Sequence, residues 1–186
     1  MRKLCQILFV LLICFVNNIA FGQQSLNLDF EKLTPKNQPA YWWALGDGYM
    51  ASSDSVIFFK GHRSIKLSCI MKTASKRDFG RLTIELPHNI FDGKSSMIFS
   101  GWIKTNNVTG NAKIGCWLFD KNMKIIESIE SDKDSITATT EWKKISIQAK
   151  INDKTKYLYI DATLNGTGTA WFDNFEIFID GEKIDF

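Results

Sequence analysis

Apolar and polar residues alternate along most of the chain after its first two dozen positions. The apolar members of the four most regular stretches are Ile65, Leu67, Cys69 and Met71; Leu82, Ile84 and Leu86; Ile145, Ile147, Ala149 and Ile151; and Leu158, Ile160, Ala162 and Leu164. Successive side chains of a strand point to opposite faces, so a period of two predicts strands with one buried and one wet face. Such strands are typical of antiparallel sheets.

Turn-forming pairs separate these stretches. They contain Gly, Asn and Asp and lie at 46–48, 60–61, 92–93, 106–107, 165–166 and 180–181. Only residues 120–133 suggest a short helix. Many short strands with little helical periodicity predict an all-β fold, an antiparallel β-sandwich of the jelly-roll type, in one domain.

The first 22 residues have the composition of a signal peptide. Arg2 and Lys3 precede an apolar run at 7–16, and Ala20 and Gly22 are the small residues of a cleavage site. The run has about half of the roughly 20 residues that span a bilayer, so we predict no membrane span. A retained anchor and lipid attachment at Cys14 are the alternatives. We therefore expect a β-sandwich module at 23–186, exported to the periplasm or the exterior.

Charge and cysteine content narrow the function classes. Without Arg2 and Lys3 the formal net charge falls from +3 to +1, and the charges are scattered, so nothing indicates nucleic-acid binding. Cys69 and Cys116 remain after cleavage. In an exported protein they could form a disulfide, or they could be two buried thiols.

Residue patterns that indicate catalysis are nearly absent. The chain has two histidines, and it contains no nucleophile elbow, zinc-protease helix or phosphate-binding loop motif. Asp and Glu are numerous, but nothing marks two of them for one cleft. We expect this protein not to be an enzyme.

Aromatic residues on the polar parity of strands are candidates for stacking on sugars, because pyranose rings present flat apolar faces and hydroxyls that need polar partners. Tyr157, Tyr159 and Asp161 oppose the apolar parity of their strand, and Trp117 opposes that of its own strand. The candidate ligand-binding residues are Trp43, Trp102, Trp117, Tyr157, Tyr159 and Asp161, and Tyr41 and Trp42 are further aromatic candidates. Core or edge packing is the alternative for each ring.

Several segments carry a resemblance through their order and spacing. They are Leu-Asp-Phe-Glu at 28–31, Gly-His-Arg-Ser-Ile at 61–65, Ser-Gly-Trp-Ile-Lys-Thr at 100–105, Thr-Glu-Trp-Lys at 140–143, Leu-Asn-Gly-Thr-Gly at 164–168 and Trp-Phe-Asp at 171–173. The chain resembles the galactose-binding-like jelly roll of carbohydrate-binding modules. More closely, it is similar to the accessory domain that precedes some secreted serine peptidase domains in Bacteroidota.

The resemblance implies a non-catalytic secreted module that recognises a carbohydrate. The alternative is a protein-interaction or structural accessory domain without glycan binding. The partner would be a glycan or a protein, and we expect a monomer. The chain ends at Phe186, just after the module, so peptidase activity is not carried over.

Acidic residues near the two ends of the module suggest a cation site. Asp173 shares the parity of Trp171 and Phe175 and is expected to face the core, where an unpartnered carboxylate is costly. The resemblance implies a structural Ca²⁺ held by Glu31 and Asp173, with carbonyls from residues 60–64. The alternative is that backbone N–H groups or Arg63 satisfy Asp173.

Overall fold

The computed structural model describes residues 25–184, so the predicted signal peptide lies outside the described residues. These residues form ten strands that pair in antiparallel fashion, which confirms the predicted all-β sandwich. The strands are β1 (Trp43–Leu45), β2 (Tyr49–Asp54), β3 (Ser64–Cys69), β4 (Phe79–Glu85), β5 (Ser96–Phe119), β6 (Ile125–Glu130), β7 (Ile136–Lys150), β8 (Tyr157–Asn165), β9 (Thr169–Ile179) and β10 (Glu182–Lys183). A single helical turn, α1 (His88–Phe91), and a 3₁₀ turn at Asp132–Asp134 complete the fold.

Strand β5 connects the two sheets of the sandwich. It pairs with β9 over residues 97–106 and with β7 over residues 96–112, and its second half, residues 112–119, pairs with β6 and β8. Sheet A therefore has the order β2-β3-β9-β5-β7, and sheet B has the order β1-β4-β8-β5-β6. None of the helices in the described part of the chain is long and apolar enough to cross a membrane.

The core lies between the sheets and contains the apolar side of the alternating stretches. Leu158, Ile160, Ala162 and Leu164 of β8 are completely buried, as the alternation predicts. Three of the four stretches are buried throughout their apolar positions, and in the fourth Ile65 and Leu67 are buried. The polar parity of each strand consequently forms the outer faces of the sandwich.

The expected helix at 120–133 is wrong. Its second half forms strand β6, which pairs with β5 from Gly115 to Phe119. Within it, Ile126 and Ile129 pack against the core, while Ile125 stays exposed. Sheet pairing along an unoccupied edge has overridden a weak local preference.

The parity of β9 changes at Asn174, and this corrects the expected orientation of Asp173. Asn174 has a left-handed backbone (φ +47°), opposite a shift in the pairing with β5. Phe172 therefore faces the core on one side of it and Phe175 on the other. Trp171 and Asp173 lie on the outer face of sheet A instead, beside Trp102, and Asp173 is nevertheless completely buried, as expected.

Substitution of Asn174 is expected to show how much this bulge depends on the residue type. Asn tolerates the left-handed region, whereas a β-branched side chain there is strained. We expect Asn174→Val to lower the free energy of unfolding by about 2 kcal/mol, and Asn174→Gly to change it little. Urea denaturation measures both variants. Equal stabilities for Val and Gly would mean that the bulge does not require a left-handed residue.

Both described cysteines are free thiols. Cys69 is half-buried on β3 in sheet A, and Cys116 is buried on β5 in sheet B. Burial raises the pKa of the Cys116 thiol to about 12, with contributions from the charges of Asp161 and Glu127. Of the two possibilities left open by the sequence, the structure has the unpaired thiols.

Candidate functional site

The outer face of sheet B carries an open cleft of about 560 Å³. Strands β1, β4, β8 and β5 and the segment around β6 supply its lining: Trp43, Leu45, Arg81, Thr83, Trp117, Phe119, Met123, Ile125 and Tyr159. Most of these side chains are apolar or aromatic. Such a surface, open along one side and bearing few polar groups, fits a ligand with apolar faces.

Strand register explains why the cleft is a trough. Across the sheet, Trp43 pairs with Thr83, Thr83 with Asp161, and Asp161 with Gly115. Beyond Trp43 this row has small or buried side chains, while the neighbouring row carries Trp117 opposite Tyr159. A Cβ added at Gly115 would lie 3.1 Å from Asp161 Oδ1, so the glycine leaves room for the buried carboxylate.

A charged network beneath the cleft fixes the Trp117 ring. Its indole Nε1–H donates to Asp161 Oδ2 at 2.5 Å, and the Arg81 guanidinium lies 5.0 Å from its ring centroid. Arg81 also lies 3.8 Å from Asp161 Oδ2 and 3.5 Å from Glu130 Oε1, measured from Nε and Nη2. Phe79 contacts the same guanidinium at 5.2 Å. Arg81 is therefore held between two rings and two carboxylates, and it orients Trp117 before any ligand binds.

Asp161 lies on the expected face, but it has a different role from the predicted ligand contact. Its side chain is 0% exposed, and it accepts from Thr163 Oγ1 at 3.1 Å in addition to Trp117. Burial raises its pKa, and the charge of Arg81 together with the two hydrogen bonds opposes that shift. Neighbouring side chains close over this carboxylate, so it positions Trp117 and Arg81 and has no surface for a ligand.

Tyr159 and Glu85 form a polar pair at one side of the cleft. The Tyr159 hydroxyl donates to Glu85 Oε2 at 2.8 Å. Burial and the hydrogen bond with Glu85 raise the pKa of Tyr159 to about 12, so the hydroxyl remains protonated at neutral pH. The Tyr159 ring also meets Phe119 edge-on, with centroids 5.7 Å apart.

The structure brings Trp43, Trp117 and Tyr159 together and separates the other two predicted aromatics from them. Tyr157 is on the same face, opposite Phe119, but outside the cleft lining. Trp102 lies on the outer face of sheet A, where it stacks on Phe59 with centroids 3.8 Å apart. Parity places a residue outward, but it does not assign the residue to a sheet.

Glu31 and Asp173 contact the same loop at the outer face of sheet A. Glu31 Oε1 accepts from the backbone N–H groups of His62 (2.7 Å) and Arg63 (3.2 Å). Asp173 Oδ2 accepts from those of Phe59 (2.7 Å) and Lys60 (2.9 Å). Backbone donors therefore satisfy these carboxylates, as in the alternative left open by the sequence.

The negative charges of Glu31 and Asp173 are only partly compensated by their neighbours. Burial raises the pKa of Asp173 to about 6 against the lowering effect of its N–H donors, and the charge of Glu31 adds to the rise. The Arg63 guanidinium Nε is 3.6 Å from Glu31 Oε2. Among the described residues, no group of three or more His, Cys, Asp or Glu side chains could hold a metal ion. Two carboxylates supply the oxygen chemistry that Ca²⁺ takes, but fewer oxygens than the six to eight it needs.

Sequence reasoning missed Arg81 and Glu130 as residues of this region. Arg81 shares the polar parity of Thr83 and Glu85 in a recognised strand, so its outward position was readable. Glu130 was not, because β6 was expected to be helical. Tyr41 was among the aromatic candidates, although it precedes β1 and has no alternating neighbours that would assign it a face.

Comparison with known proteins identifies the fold of this chain. No protein-family model matches the chain, and no curated protein matches it. Among solved structures, it is similar to the enzymatically active domain of tailspike protein 4 of bacteriophage CBA120, with a TM-score of 0.60 and 10% identity over 84% of this chain. It spans 22% of that tailspike chain.

Two further similar structures are single modules of about the same extent. One is the CBM22-1 xylan-binding domain of Xyn10C from Paenibacillus barcinonensis, with a TM-score of 0.57 and 16% identity, covering 81% of this chain and 90% of that one. The other is TmCBM61 in complex with β-1,4-galactotriose, with a TM-score of 0.53 and 18% identity, covering 83% and 96%. The chain therefore has the β-sandwich fold of carbohydrate-binding modules.

Proposed function

We propose that this chain is a non-catalytic module that binds a polysaccharide in the cleft on the outer face of sheet B. The observation that carries the proposal is the exposure of Trp43 together with Trp117 and Tyr159 around one trough. Flat aromatic rings stack on pyranose faces, while Thr83 and the Tyr159 hydroxyl supply polar partners at the same surface. Because Arg81 and Asp161 hold Trp117 in place, little side-chain conformational entropy is lost when a ligand binds.

The charged groups around the cleft support a binding role without catalysis. Glycoside hydrolysis generally needs two carboxyl groups on opposite sides of the scissile bond. Arg81 is the one charged residue lining the cleft within residues 25–184, and its partner Asp161 is buried. Glu85 is close by, but it is engaged by Tyr159.

Affinity electrophoresis of residues 23–186 tests the proposal. The gels contain xylan, β-1,4-galactan, glucomannan or polygalacturonate. Selective retardation by one polymer is expected, because the rings and polar groups of the cleft have a fixed arrangement. Free migration through every gel would contradict glycan binding and favour the protein-interaction alternative, for which the next experiment is capture of a partner polypeptide.

A structural Ca²⁺ at Glu31 and Asp173 stays a proposal. The raised pKa of Asp173 supports it, because a bound cation would compensate the paired negative charge. We expect a chelator to lower the melting temperature of the wild type, Ca²⁺ to restore it, and Asp173→Asn to abolish the response. Differential scanning calorimetry of metal-stripped protein measures this. An unchanged melting temperature after stripping would mean that the backbone N–H donors alone hold the loop.

Export and a peptidase-accessory role are also proposals. The composition of residues 1–22 supports export to the periplasm or the exterior. N-terminal sequencing of the protein from the cell envelope and medium fractions would give the cleavage site. Full-length protein in the cytoplasm would contradict export.

A further inference from the structure

A second pocket adjoins the cleft where strand β1 begins. It has a volume of about 410 Å³ and is lined by Tyr41, Trp43, Ile84, Glu85, Leu86 and Pro87. Trp43 lines both the cleft and this pocket, and the hydrogen bond between Glu85 and Tyr159 also links the two. A ligand that leaves the cleft past Trp43 therefore enters the pocket directly.

We infer that this pocket is a second subsite, which takes an uncharged sugar unit of the same polysaccharide that occupies the cleft. The inference rests on the proposed function, since it extends the same binding surface. Tyr41 supplies a ring for stacking, and Glu85 supplies Oε1, the carboxylate oxygen that does not accept from Tyr159, as an acceptor for sugar hydroxyls.

The backbone at Tyr41 has an unusual conformation. Its φ of +73° is in the left-handed region, where an aromatic residue is rare and costs stability. Trp42, the next residue, is buried against Phe30 and Phe175, and its Nε1–H donates to Leu26 O at 3.0 Å. Trp43 returns to the surface.

The two rings that flank Trp42 remain available. Tyr41 is 48% exposed and Trp43 is 52% exposed, and within residues 25–184 neither stacks on another aromatic ring. The strained residue thus anchors one tryptophan in the core and leaves a tyrosine and a tryptophan side by side at the surface.

The electrostatics of the pocket select against acidic sugars. Within residues 25–184, Glu85 is the one charged residue that lines it. In the adjoining cleft, the positive charge of Arg81 is already shared between Asp161 and Glu130. A uronate would bring its carboxylate close to that of Glu85, and no cationic side chain among the described lining residues would balance the two negative charges. Their repulsion is unfavourable at short range. A neutral unit with hydroxyl donors meets no such penalty.

Occupation of both subsites predicts a preference for longer ligands. A chain segment long enough to pass Trp43 contacts Tyr41 and Glu85, whereas a short oligosaccharide in the cleft does not. We expect Tyr41→Ala to weaken retardation by the neutral polymer that binds the wild type, by about tenfold in affinity. Trisaccharides from that polymer should compete equally well for wild type and variant, while its hexasaccharides should compete less well for the variant.

Tyr41→Phe is the matched control, because it keeps the ring in the same backbone and is expected to bind like wild type. Glu85→Gln is a second, independent variant, which should increase retardation by polygalacturonate. Circular dichroism and the melting temperature report folding.

Each outcome decides a different point. If the wild type binds the polymer, Tyr41→Ala binds it with the same affinity and Trp43→Ala does not bind it, the second subsite is wrong. The proposed function remains intact in that case. If polygalacturonate retards the wild type more than the other three polymers do, the inference that the pocket takes an uncharged sugar unit is wrong. Free wild-type migration through all four gels overturns both the subsite and the proposed function.

Discussion

Replacing Trp43 with Ala is expected to lower the affinity for the bound polysaccharide by about 60-fold and to leave the melting temperature unchanged. About half of this side chain is exposed, so a stacked sugar would bury roughly 100 Å² of it, since aromatic side chains bury about 150–250 Å² in full. At about 25 cal/mol per Å² this burial contributes roughly 2.5 kcal/mol. Isothermal titration calorimetry with soluble fragments of the polymer measures the loss.

Trp102→Ala is the control for that experiment. Trp102 is also an aromatic residue predicted from the sequence, but it lies on sheet A against Phe59. We expect this variant to bind polysaccharide like wild type. Loss of binding in Trp102→Ala with retention in Trp43→Ala would move the site to sheet A and contradict the assignment of the cleft.

Replacing Asp161 with Ala is expected to lower the free energy of unfolding by about 3 kcal/mol, at the lower end for breaking a buried ion pair because Arg81 keeps Glu130. The variant leaves the Trp117 indole N–H without its acceptor and Arg81 without one of its two carboxylates. The melting temperature should fall by about 6–12 °C for a chain of this size. Thermal denaturation followed by circular dichroism gives the shift.

The same variant tests whether Asp161 positions Trp117. Binding should weaken together with stability, because the indole ring is no longer held over the sheet. Asp153→Ala removes an exposed carboxylate and should change neither property. A stable Asp161→Ala variant with unchanged affinity would mean that Trp117 is oriented by Arg81 and packing alone.

Alternation was sufficient to predict the architecture and much of the face that carries the cleft. Ile160 and Tyr159 lie on opposite sides of β8, and Cys116 and Trp117 on opposite sides of β5, as a period of two requires. The outward direction of Tyr159 and Trp117 was therefore predictable. That both lie in one cleft with Trp43 depends on the pairing of four strands distant in sequence.

The errors arise where a residue depends on its neighbours in space. A left-handed residue at Asn174 adds one position to β9, and simple parity then assigns Asp173 to the wrong face. Strand β5 changes sheets along its length, so Trp102 and Trp117 lie on different sheets although one strand contains both. Asp161 could be placed on the correct face, but its burial depends on the Arg81 and Trp117 side chains, which alternation does not report.

The most direct test of binding in the sheet-B cleft is an NMR titration with the polysaccharide that retards the protein. The titration follows the indole N–H signals of the six tryptophans. We expect large shifts for Trp43 and Trp117, which line the sheet-B cleft, and small shifts for Trp102 and Trp142 on the opposite sheet. Shifts confined to Trp102 and Trp142, with Trp43 and Trp117 unmoved, would contradict binding in that cleft.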